Sequence, residues 1–218
     1  MSEAGSGRHA TIQCLPKNNT RFPEGLEIAM PVPRAVASTP LMELHFSTRQ
    51  WVAFPAEQVF AFFANPLNLP RLMPPELRTR LDKITLVPPP APSGPTPAAP
   101  GTVAGSGSEL WISFTPIPWL PLRQSWRARI VEFVWNSHFI DEQVRGPFRH
   151  FRHRHGVTAE SREGIAGTVV SDEIACLPGF GFAGQLGLPL LRRSFERSFQ
   201  ARQRRLPELL AQSLNASR

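Results

Sequence analysis

Near the end of the chain, Leu191, Phe195 and Phe199 repeat every four residues, and Leu206, Leu209 and Leu210 continue the stripe. This period predicts one long helix, Leu188 to about Gln212, apolar along a single face. Arg192, Arg193, Arg197, Arg202, Arg204 and Arg205 stand on the same stretch against Glu196 and Glu208. They read as its solvated face, Arg202 included. A helix with one apolar stripe must lay it on another layer, so the residues before it have to supply a matching apolar surface.

Those residues read mostly as strands. In the stretch from Met42, Leu44 and Phe46 alternate with Glu43, His45 and Ser47, the period of a strand. Pro55 then opens a helix on which Ala56, Val59, Phe60 and Phe63 share a face. It should stop at Asn65-Pro66, because the residue before a proline is pushed out of the helical region. Further strands are expected at Leu77 to Val87, Glu109 to Thr115, Leu122 to Val134, Ser137 to Val144, Phe148 to Val157 and Gly167 to Leu177. In the third of these, Trp126, Ala128 and Ile130 alternate with Arg127 and Arg129, giving one apolar and one wet face. The fold class is therefore α+β, a curved antiparallel sheet wrapped around its final helix.

Two stretches fall outside this pattern. Residues 1–41 are polar, with no apolar period, and read as a disordered leader. Met30 and Met42 offer alternative translation starts within or just after it. Residues 88–108 are dominated by Pro, Gly, Ala and Ser and read as a solvated loop that buries nothing.

Composition narrows the function classes. With 218 residues and 41% hydrophobic content, the chain can bury the core of one domain, 42–212. Its formal charge is +7, but only Lys17 and Lys83 among 24 basic residues are Lys, and Tyr is absent. That pattern reads as compositional bias, and no nucleic-acid-binding signature accompanies it, so no nucleic-acid partner is expected. Cys14 and Cys176 form neither CxxC nor a disulfide framework. No membrane-length apolar run and no signal peptide is visible, which points to a soluble cytoplasmic protein.

The segment from Phe139 to His155, FIDEQVRGPFRHFRHRH, is the most distinctive part of the sequence. Together with ANPLNLPRLMPPEL, TVVSDEIACLPGFG and the final helix, it resembles the SRPBCC superfamily, over about Met42 to Gln212. This is the START-like helix-grip group that includes polyketide cyclases/dehydrases and lipid-transfer proteins. The resemblance implies about seven antiparallel strands around a long C-terminal helix, enclosing an apolar cavity. It also implies a binder of a hydrophobic small molecule, such as a lipid, an isoprenoid quinone or a polyketide-like compound. A cyclase/dehydratase-type enzyme is the alternative, and a peripheral module docking its Arg-rich helix on an anionic membrane is a third reading.

Candidate site residues follow from face and type. Trp111, Trp126, Ala128, Phe139, Phe151 and Phe195 are expected to line the cavity, since aromatic rings supply most of such a wall. On one strand, His153 and His155 share a face with Phe151, while His150 points the other way. With Asp141 they would orient a ligand, or supply acid and base if there is chemistry. Glu142 is the neighbouring carboxylate, and Arg145 or Arg149 would be the partners in a purely structural ion pair. No recognised zinc-ligand spacing is present, so neither metal nor cofactor is expected. Gly179 to Gly184 spells GxGxxG, but no βαβ unit follows, so it reads as a tight turn into the last helix. Ser106, Ser108 and Ser171 lie in no nucleophile motif, and Cys176 reads as a packed small side chain.

Overall fold

The computed structural model describes residues 41–94, 101–117, 120 and 122–215. Residues 1–40 of the expected leader 1–41, and the middle of the Pro-rich stretch, lie outside the described residues. The strands are β1 (Leu44–Val52), β2 (Arg80–Thr85), β3 (Glu109–Phe114), β4 (Gln124–Val134), β5 (His138–Arg145), β6 (Phe148–Ala159) and β7 (Thr168–Pro178). They form one antiparallel sheet in the order β1-β7-β6-β5-β4-β3-β2. Helices α1 (Ala56–Ala64) and α2 (Leu69–Leu72) follow β1, and α3 (Gly181–Leu186) and α4 (Leu188–Asn215) follow β7. Consecutive strands from β2 to β7 pair as a meander, and β1 closes on β7, so the first and last strands carry the helical connections to their concave side.

The alternation in β4 has the expected effect. Ala128 and Ile130 are buried on the concave face, whereas Arg127 and Arg129 clamp the Glu109 carboxylate on the other face, each with a 2.6 Å contact. Register shifts between Arg127 and Ala128 and between Ile130 and Glu132 interrupt the pairing with β5. Such bulges bend the strand and raise the local twist, which curves the sheet.

Helix α4 lies in the concavity, with Phe199, Leu206, Leu209 and Leu210 buried. It runs through Pro207. Proline has no N–H, so the carbonyl four residues back, at Gln203, loses its helical donor. Gln50 of β1 supplies one instead, its Nε2 donating to the Gln203 carbonyl at 2.7 Å. Gln203 Nε2 in turn donates to Thr48 Oγ1 at 2.7 Å. The proline thus marks where the helix is tied to the sheet edge.

The core is in two parts. One gathers α1, the end of α4 and the strand residues Val52, Ile130, Phe139, Val157 and Val170 around Phe60. The other joins Leu44, Phe46, Phe151, Ile174, Cys176 and Phe199. Cys176 is 0% exposed, and burial, then the nearby Glu43, pushes its thiol up to about 12. In a Cys14→Ser variant, a disulfide-exchange reagent at mildly alkaline pH should therefore label the native protein only after denaturant is added. Rapid labelling of the folded protein would show that the β7 end opens.

Three expectations are corrected here. The segment 77–79 is not strand: a 3-10 turn at Pro75–Leu77 ends with Arg78 at φ 44, in the left-handed region, before β2 begins. The end of the Pro-rich stretch is not solvated, since Val103, Ala104 and Ser108 are buried. Ala104 N donates to the Ala64 carbonyl at 2.9 Å and Ser108 Oγ accepts from Val87 N at 2.9 Å, so these residues close the space beside α1. The glycine run forms α3 as well as a turn, entered through Phe180 at φ 62.

Candidate functional site

One helix does not fill the curve of seven strands, and a cavity of about 570 Å³ remains between α4, the segment 62–79 and the concave face. Its wall is mostly aromatic and aliphatic. Trp126, Ala128, Phe139, Phe151 and Phe195 line it, together with Asp141, His153 and His155. Trp126 meets Phe151 edge-on at 4.6 Å and Phe148 at 5.6 Å. Trp111, in contrast, is not in the wall: it stands on the outer face of β3, between the Lys83 ammonium at 4.7 Å and the Arg127 guanidinium at 4.8 Å. Strand alternation sends residues 110 and 112 into the cavity and 111 away from it. Phe195 is only partly buried, and Phe199, one helical turn on, is the more deeply packed ring.

The polar part of the wall is assembled from three strands and α4. Register places Asp141 of β5 opposite His153 of β6, and His155 of β6 opposite Asp172 of β7. These are same-face neighbours, close enough for direct and diagonal contacts. His153 Nε2 lies 2.9 Å from Asp172 Oδ1, and His155 Nε2 lies 3.0 Å from Asp141 Oδ2. The two imidazoles lean on each other with centroids 3.7 Å apart, and Phe139 stacks on His155 at 4.4 Å. The Arg202 guanidinium reaches Asp172 Oδ1 at 3.5 Å from α4 and covers the Phe199 ring at 4.5 Å.

Burial dominates the electrostatics. It holds the His153 imidazole below its usual value, helped by the adjacent His155 and opposed by Asp172. Burial acts the same way on His155, but its carboxylate neighbours Asp141 and Asp172 outweigh it and raise that imidazole. Burial would raise Asp172, yet Arg202 and the two imidazoles outweigh it and hold the carboxyl well below the usual range. The ionisable groups of the mostly apolar chamber are thus gathered in one buried cluster.

Two members of this group, Asp172 and Arg202, were not among the sequence candidates. Asp172 falls in step with Thr168, Val170, Ile174 and Cys176 on the inward face of β7. Arg202 sits between Phe199 and Leu206 on the apolar stripe itself. It is 8% exposed rather than solvated, and an arginine at a stripe position was the available signal. The remaining candidates lie elsewhere. Glu142 faces outward and pairs with Arg152, and His150 faces outward to Glu43 at 2.9 Å. Arg145 and Arg149 are exposed and take no part in the buried group.

A sheet of seven antiparallel strands, a concave cavity and a long C-terminal helix laid across it decide the fold. It is the helix-grip fold. Solved structures agree in shape at low sequence identity. A protein from Thermus thermophilus matches with TM-score 0.54 and 13% identity over 78% of this chain and 99% of its own. A START superfamily protein from Mycobacterium smegmatis matches with TM-score 0.51 and 11% identity, over 77% of this chain and 97% of its own. The di-domain ARO/CYC StfQ from the steffimycin biosynthetic pathway matches with TM-score 0.54 and 14% identity. That match covers 81% of this chain and 52% of StfQ. No protein-family model and no curated protein matches the sequence. Among the described residues no helix is long and apolar enough to cross a membrane.

Proposed function

We propose that this SRPBCC-type protein binds a hydrophobic small molecule carrying an oxygen function at one end. The observation that carries this reading is the cavity of about 570 Å³, mostly apolar, whose ionisable lining residues are Asp141, His153, His155 and Arg202. Pockets of roughly 300–1,000 Å³ suit ligands of drug-like size, and a few convergent polar groups fix their orientation. The rings of Trp126, Phe139, Phe151 and Phe195 would cover the ligand's apolar body. A lipid, an isoprenoid quinone or a polyketide-like ketone meets both requirements. Because the polar groups sit inside the chamber, they could also act on a bound carbonyl, as a cyclase or dehydratase requires.

A fluorescent fatty acid titrated into the native protein should saturate at one site per chain with roughly micromolar affinity, about −8 kcal/mol. Trp126 fluorescence should change along the same curve. A native protein that takes up no apolar probe would overturn the reading.

The rim favours a second property. Phe180 is 87% exposed although it borders the cavity, and Leu186 and Leu190 are also exposed. Arg192, Arg193 and Arg197 stand beside them on α4. Exposed apolar side chains followed along the chain by arginines fit an anionic membrane from which a ligand could enter. Cosedimentation with phosphatidylserine vesicles that disappears at high salt or in Phe180→Ser would support this, and binding insensitive to both would refute it.

A further inference from the structure

We propose that Asp141, His153 and His155 form a site for a divalent transition metal, Zn²⁺ by its ligand chemistry, with the fourth position open to the cavity. The ligand atoms of these three side chains lie within 4.8 Å of one another. One nitrogen of each imidazole faces the same carboxylate oxygen: His155 Nε2 is 3.0 Å, and His153 Nδ1 3.9 Å, from Asp141 Oδ2. Zinc bonds of about 2.0–2.1 Å at a tetrahedral centre separate ligand atoms by roughly 3.3 Å. The two separations from Asp141 Oδ2 bracket that value, while the triad as a whole spans up to 4.8 Å, so binding would draw the ligand atoms together.

The opposite nitrogens supply the second observation. His153 Nε2 and His155 Nδ1 both face Asp172 Oδ1, at 2.9 Å and 3.1 Å. A metal-bound histidine needs its other N–H held by an acceptor, commonly a carboxylate, which fixes tautomer and ring orientation. Asp172 stands in that place for both rings, and Arg202 at 3.5 Å balances its charge. The His155 Nδ1 contact is misaligned, leaving that buried nitrogen without a hydrogen bond. A metal on Nε2 would require a proton on Nδ1, and a turn of the ring that aligned this N–H with Asp172 would satisfy the orphaned atom.

The donor set of two imidazoles and one carboxylate suits zinc and disfavours Mg²⁺ and Ca²⁺, which prefer all-oxygen sites. Three protein ligands leave a fourth position for water or for the oxygen end of a cavity ligand. No linear spacing reveals this site, because the carboxylates come from the strands flanking the His-x-His pair.

Chelator-treated full-length protein titrated calorimetrically with Zn²⁺ should bind one ion per chain at about micromolar affinity or tighter. Asp141→Asn and His155→Gln should each weaken it by about 100-fold or more, and Asp172→Asn by about 10–100-fold. Co²⁺ added to the wild type should give the visible absorption of a four-coordinate ion, erased by Zn²⁺. Failure of the wild type to take up one Zn²⁺, or to give that Co²⁺ band, would overturn the proposal whether or not the variants fold. So would uptake that survives Asp141→Asn and is lost in Glu43→Gln, since His45, Glu43 and His150 form a separate exposed group. Probe uptake by the metal-free protein tests the ligand-binding reading separately.

Discussion

Truncating Arg202 to alanine is expected to destabilise the protein by about 3–5 kcal/mol in urea unfolding. Among the described residues the guanidinium is the one cation from α4 that reaches Asp172, and both side chains are nearly inaccessible to water. Removing one partner of a buried pair leaves the other charge uncompensated, which costs about that much even where the intact pair contributes little net stability. The side chain also covers the Phe199 ring, so packing is lost as well. Arg204→Ala, two residues on and exposed, should stay within about 0.5 kcal/mol. A double-mutant cycle of Arg202→Ala with Asp172→Asn should be clearly non-additive, since both changes break the same contact. Equal, small effects for Arg202 and Arg204 would mean that the helix does not hold the polar group in place.

Phe60→Ala should cost about as much, roughly 3–5 kcal/mol, by a different mechanism. Phe60 is 1% exposed and meets Phe133 at 5.3 Å, Trp135 at 5.8 Å and Phe139 at 6.2 Å. Deleting the ring removes its burial and leaves a void that a sheet of paired strands cannot collapse to fill. Phe139 also stacks on His155, so the change should reach the polar group. An unfolding free energy within about 1 kcal/mol of wild type would place Phe60 outside the core.

The sheet and both principal helices were readable from the sequence because their faces differ so sharply. In β4 the arginines between Trp126, Ala128 and Ile130 leave only one inward face, and the four-residue repeat of Leu191, Phe195 and Phe199 fixes α4. The pairing of His153 and His155 on one face follows from strand geometry alone. Their partners do not, because Asp141 and Asp172 come from different neighbouring strands, and register between strands is a tertiary property. The charge of Arg202 points to solvent, although its position in the stripe puts it inside. The size of Trp111 points to the cavity, although alternation puts it outside. Side-chain type misled where position was correct. The packed end of the Pro-rich stretch shows the converse: Val103, Ala104 and Ser108 have no period to betray them, and only the gap beside α1 explains their burial.

Ala128 offers the most direct test of the chamber itself. It is 3% exposed and lies in the wall between Trp126 and Ile130. An indole at this position would project into open volume if the cavity exists, and into packed atoms if it does not. Parallel titrations of a fluorescent fatty acid into wild type and Ala128→Trp, with a thermal melt of each, separate the two cases. A ligand-binding chamber predicts roughly micromolar, one-site uptake by the wild type, and a variant that melts within a few degrees of it but takes up no probe. A wild type that ignores the probe, together with a variant that fails to fold, would contradict the account, because the interior would then be solid.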